Sequence, residues 1–186
     1  MKKDLKKFNP DRVAYLDKEM WVAYYKHNFV RMLLLLLKLI HEQFGLNYVK
    51  SFQAAYHGAV AAGNFRLKKG HEDMNRPLKE LTSFYKIISK NCINPFDYKK
   101  AAQLELEWWF IDRYPEKYEI SREKALANAM SAIYNIDSEK LSEYAKYRAQ
   151  AMVLHDVASD LGKKTDWEQV YSLLKNSFNS LHKSVQ

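Results

Sequence analysis

Apolar residues recur along this chain every three or four positions and nowhere sustain an alternation of two, the spacing of helices rather than of strands. The period is strongest from Met20 to Gly45. There Val22, Tyr25, Phe29, Met32/Leu33, Leu36 and Leu39/Ile40 form one stripe about five turns long, wide enough for a central core helix. The spacing predicts a first helix opening at Pro10-Asp11, with Asn9 as its cap, and running unbroken to Gly45. Beside the apolar stripe runs a second one, Tyr24, His27, Arg31, Leu34/Leu35 and His41, which sets polar groups among large hydrophobic neighbours.

Further helices follow. The second opens after Asn47 and reaches about Lys69, with Gly70 as its stop. Its middle, Ala54 to Gly63, is nearly all small residues. Glycine weakens an exposed helix, so Gly58 and Gly63 predict the close approach of another backbone, with the leucine-rich helix as the expected neighbour. A third helix begins after Asn75, carries Pro77 in its first turn and turns Leu81, Phe84/Tyr85 and Ile88 inward. Asn91 to Pro95 reads as a loop. Asp97 caps a fourth helix, Tyr98 to Tyr114, Ser121 caps a fifth reaching Tyr134, and Asp137 a sixth from Ser138 to about Leu161. Thr165-Asp166-Trp167-Glu168 is a capping box that opens a seventh, whose inward residues are Val170, Leu173/Leu174, Phe178 and Leu181. The expectation is an all-α fold: a single compact domain over residues 1–186, about seven helices around the long leucine-rich one, with residues 1–9 a flexible basic tail.

Composition narrows the class. With 47% hydrophobic and 14% aromatic residues the chain is globular, and five glycines with four prolines leave few turns, hence few and long elements. The single cysteine, Cys92, forms no intramolecular disulfide, and no apolar segment follows the basic amino terminus before Asn9-Pro10, so a cytoplasmic protein is expected. The leucine run lies between Arg31 and Lys38, six uninterrupted apolar residues where a membrane span needs roughly 20.

The net charge of +8 is lopsided: residues 1–100 hold 19 Lys and Arg against 9 Asp and Glu, and residues 101–186 hold 11 against 13. Such a field steers nucleic acid, anionic lipid or an acidic protein without defining a site, and most such surfaces are simply solvated. No zinc-ligand spacing, RNA-binding signature or helix-turn-helix accompanies it, so a nucleic-acid partner has no motif behind it.

Candidate chemistry sits on the helix faces. Glu105 shares its face with Ala101, Trp108 and Trp109, whereas Glu107 shares one with Lys100 and Gln103, so Glu105 is the carboxylate expected to be buried. It is then either half of a structural ion pair or, with a raised pKa, a candidate acid. Arg148 and His155 lie two turns apart on a stripe with Leu141, Tyr144/Ala145 and Met152. A buried guanidinium demands an acid, and so does Arg31. Two arginines against one inward carboxylate leave a vacancy for a small anionic ligand, unless the arginines reach outward along their stems.

The candidate pocket is therefore Tyr24, His27, Arg31, His57, Glu105, Arg148 and His155. The four histidines His27, His41, His57 and His155 suggest a ferritin-like metal site with Glu19, Glu42 and Glu105, but no Glu-x-x-His pair occurs, so neither metal nor cofactor is expected. Phosphate-cradling loops and nucleophile elbows are also missing, which disfavours an enzyme.

The segments Met20-Trp21-x-Ala23-Tyr24-Tyr25, Leu104 to Trp109, Arg148-x-x-Ala151-Met152 and Asp166-Trp167-Glu168 together resemble a group of bacterial all-helical proteins of similar length with no assigned activity. The resemblance implies a helical bacterial protein and carries over no functional residue. The leading expectation is a non-catalytic binding or interaction module for an unknown protein or a small anion; the alternative is a bundle or enzyme with a polar core pocket. Adjacent tryptophans point about 100° apart on a helix, so Trp109 is expected to face a second helix layer or the partner of a symmetric dimer.

Overall fold

The computed structural model describes residues 2–66 and 74–186, and helices dominate there: α1 (Pro10–Tyr25), α2 (Phe29–Phe44), α3 (Tyr48–Arg66), α4 (Asn75–Asn91), α5 (Tyr98–Arg113), α6 (Arg122–Tyr134), α7 (Ser142–Asp160) and α8 (Trp167–Val185). The stop expected at Gly70 lies outside the described residues. Short 3-10 turns, Pro115–Lys117 and Ser138–Leu141, precede α6 and α7. Side-chain oxygens open most helices as their sequences require: Asn9, Asn28, Asp97, Ser121 and Asp166 each accept from backbone N–H groups of the first turn. At α8 the capping residue is Asp166, not Thr165.

The main packing contacts join each helix to its successor, and α8 packs back on α1, so the helices close into a ring. This differs from the expected layer around one central helix. The expected first helix is two. Lys26-His27-Asn28 breaks it, with His27 at φ 56° and the Asn28 side chain accepting from Arg31 N at 3.1 Å, and α2 folds back against α1. Apolar periodicity continues on both sides of the break, so the cap at Asn28 was the one local sign of it.

The leucine helix is a stave of the ring. Leu39 and Ile40 are buried, while Val30 is 74% and Leu34 55% exposed. The second stripe, Arg31, Leu34 and His41, follows that outer side rather than the core.

The amino terminus, read from the sequence as a flexible basic tail, makes contacts with the bundle. Leu5 and Phe8 are buried, Lys3 N donates to Asn91 O at 2.9 Å, and Ile93 N donates to Lys3 O at 2.8 Å. Gly58 faces side chains of α4 and α2 rather than a backbone: a Cβ there would lie 3.5 Å from the Phe84 ring and 3.6 Å from Leu36, ordinary contact distances. Gly63, by contrast, is open on its outer side. Among the described residues no helix is long and apolar enough to cross a membrane.

Candidate functional site

Inside the ring the inner faces of α2, α4, α5, α6 and α7 line a partly open cavity of about 130 Å³. Leu36, Leu39, Phe84, Leu126 and Met130 give it apolar walls, and Gln43, Tyr85, Glu105, Trp108, Tyr144 and Arg148 bring polar atoms to it. Two residues singled out by sequence, Glu105 and Arg148, thus reach the same space from α5 and α7.

Helical geometry delivers Glu105. Ala101 and Ala102 are buried one turn before it, and Trp108 and Trp109 lie one turn after. Its carboxylate accepts from the Tyr85 hydroxyl at 3.0 Å and from Trp109 Nε1 at 3.0 Å. Burial pushes its pKa up, while hydrogen bonds from Trp108, Tyr85 and Trp109 and the field of Arg148 oppose the rise. A carboxylate has about four acceptor sites, so three protein donors leave room for about one more.

Arg148 crosses the interior to α1, where its Nη1 lies 2.5 Å from Asp17 Oδ2. Its guanidinium also stands over the rings of Trp21 (5.5 Å) and Phe178 (5.6 Å). Asp17 is 1% exposed, and its Oδ1 has no hydrogen-bond partner. Asp17, beside Arg148, and Glu105 raise its pKa against the opposing effect of burial. The Tyr144 hydroxyl is pushed up to about 12 by burial.

The other candidates lie elsewhere. Arg31 is on the surface and pairs with Glu19 of α1 at 2.6 Å. His57 Nδ1 meets Glu80 of α4 at 2.6 Å, bracing α3 on α4. His155 is buried among Tyr25 (ring centroids 3.6 Å apart) and Trp167 (5.5 Å), with Nδ1 2.9 Å from Thr165 Oγ1. Burial lowers its pKa. Tyr24 packs edge-on against Tyr25 outside the cavity, and His27 sits exposed in the α1–α2 turn.

The carboxylates proposed for a metal do not meet either. Glu19 pairs with Lys18 and Arg31, and Glu42 borders a shallow surface groove beside Lys7 and His182. Among the described residues no group of three or more His, Cys, Asp or Glu side chains is placed to hold a metal ion. Trp109 finds its second contact within the chain, on Phe65 of α3 (5.3 Å) and on Glu105. That contact removes the reason for placing Trp109 between subunits.

Asp17 and Gln43 escaped the sequence reading. The signal for Asp17 was its spacing from Val13 and Trp21, four residues either way, on the buried side of α1; Gln43 continues the Leu36, Leu39/Ile40 stripe. With Asp17 included, the interior holds two carboxylates against one guanidinium. Arg31 being outside, the vacancy inferred for an anion reverses sign.

No known family model matches the chain, and neither a curated protein nor a solved structure is detectably similar to it.

Proposed function

We propose that the chain is a non-catalytic binding module whose ligand is a small organic cation, such as a primary ammonium, taken into the cavity within the ring. The observation that carries this reading is the convergence of Glu105 and Arg148 on one partly open interior cavity in which Arg148 is already neutralised by Asp17. Glu105 is then the charge without a counter-ion: among the described residues its carboxylate forms no salt bridge.

An ammonium beside it supplies one N–H to the remaining acceptor site and balances the interior charge. Trp108, Tyr85 and Phe84 bring aromatic rings to the lining, a surrounding that suits a cation, and the leucines suit a short alkyl chain. The volume restricts the ligand to a few heavy atoms, well below the roughly 300 Å³ at which drug-sized pockets begin.

Thermal unfolding with matched probes tests the reading. n-Butylamine is expected to raise the melting temperature of the wild type, butyrate to leave it unchanged, and Glu105→Gln to abolish the amine effect while still unfolding cooperatively. Equal responses to amine and acid, or an amine response that survives in Glu105→Gln, sink the proposal.

A further inference from the structure

We propose that the outer face of α3 is the interface of a symmetric dimer, with a second copy of this chain as its occupant. From Ser51 to Phe65 the helix has no Lys, Arg, Asp or Glu. A surface helix ordinarily carries charge on its solvent side. Here the solvent side is Tyr48, Val49, Phe52 and Tyr56, exposed by 64%, 68%, 51% and 54%, followed by Gly63. The neighbouring edge of α2 extends it, because His41 stacks on Tyr48 (4.4 Å, 13°) and Val30 and Leu34 lie on the same side of α2 as His41. Two cations border this edge: Arg31, which reaches to Glu19 on α1, and exposed Lys38, between Leu34 and His41 in the helical register.

Charge selects the occupant. The chain carries +8, so two copies repel wherever their charged surfaces meet, and like charges brought face to face cost several kcal/mol. Residues 51–65 of the α3 face carry no charge, so a basic protein can meet itself there with the least of that penalty, and an acidic partner finds cations only at the margins, at Lys38 and Lys50.

Shape agrees. In an antiparallel pair with the two-fold axis at Tyr56, Phe52 lies opposite Val60 of the other copy and Val49 opposite Gly63, so the bulky half of each helix covers the small half of the other. Gly63 has open space where a side chain would be, and a partner can enter it. Area suffices as well. Each half-exposed aromatic gives roughly 100 Å², and with the valines and Leu34 a copy contributes on the order of 500 Å², which brings the pair to the roughly 1,000 Å² of a specific interface.

Light scattering and sedimentation across the micromolar range test it. The wild type is expected to approach twice the 22.0 kDa chain mass. Phe52→Lys and Tyr56→Lys, both at exposed positions, are expected to keep the wild-type circular dichroism and melting curve and to weaken association about tenfold or more. Tyr56→Cys is expected to form a cross-chain disulfide under mild oxidation, whereas Val153→Cys, on the outside of α7, is not. A wild type that stays monomeric, a dimer indifferent to both lysines, or a Tyr56→Cys protein that does not cross-link overturns the proposal.

Discussion

Glu105 and Glu107 stand two positions apart on α5, and two positions turn a helix by about 200°, which puts one carboxylate inside the ring and the other in water. Removing the charge at Glu105 leaves an amide with one acceptor oxygen against the Tyr85 and Trp109 donors, a loss of about 1–3 kcal/mol. At Glu107 the same change stays within about 0.5 kcal/mol. Glu105→Gln is therefore expected to lower the melting temperature by several degrees and Glu107→Gln to leave it alone; equal effects contradict the placement of the cavity.

The proton on Glu105 gives a second test at this scale. Burial raises its folded pKa above the unfolded 4.5, so the stability it contributes is complete below that pH and is lost as pH rises through the raised value. In urea unfolding the stability of wild type relative to Glu105→Gln is expected to fall as pH increases from about 4.5. A difference that stays flat with pH contradicts it.

Among the described residues, Asp17 and Arg148 form the pair whose disruption is expected to be most severe. Asp17→Asn leaves a guanidinium inside the ring without its counter-charge, which costs about 3–5 kcal/mol, while Asp17→Leu with Arg148→Met removes both charges and recovers most of the loss. Chemical denaturation of the three proteins checks this; a double variant less stable than Asp17→Asn contradicts the account. Glu105 and Arg148 were legible in the sequence because helical phase alone sets them among buried neighbours. Their relation was not, because Arg148 meets an aspartate 131 residues away.

At the scale of elements, most helix ends were written in single residues: Asn9, Asp97 and Ser121 cap where the sequence says they should, and Gly45 closes α2 at φ 63°. The α1–α2 corner was hidden because His27 adopts a left-handed conformation that sequence usually marks with glycine. That choice costs about 1 kcal/mol or more in a residue with a Cβ. His27→Gly is expected to hold or slightly raise stability despite the entropy glycine adds to the unfolded chain, whereas the β-branched His27→Val lowers it; the comparison by thermal melting fails if the valine variant is the more stable. Asn28→Ala, which leaves Arg31 N without its cap, is expected to cost about 1 kcal/mol.

For the whole molecule, hydrophobic period specifies which side of each helix faces inward but not how many helices share the interior. The leucine-rich stripe looked like an axis because it has the strongest period. It faces the inside of a ring whose interior is filled by Leu36, Leu39, Ile40 and their counterparts, with polar residues around what remains. A ring leaves two surfaces to explain where a layered bundle leaves one: the interior cavity, and any uncharged outward stretch of a helix, of which residues 51–65 of α3 are the case described.

The cavity reading rests on Glu105 being the charge that a ligand satisfies, and calorimetry measures this directly. n-Butylamine titrated into the wild type at a series of pH values from about 4.5 upward, in buffers of different ionisation enthalpy, reports the protons exchanged on binding. Because burial raises the Glu105 pKa and an ammonium beside it lowers it again, binding is expected with release of up to about one proton per chain, and the release vanishes together with the binding in Glu105→Gln. Binding that releases no proton at any pH of the series, or that Glu105→Gln leaves intact, contradicts the account.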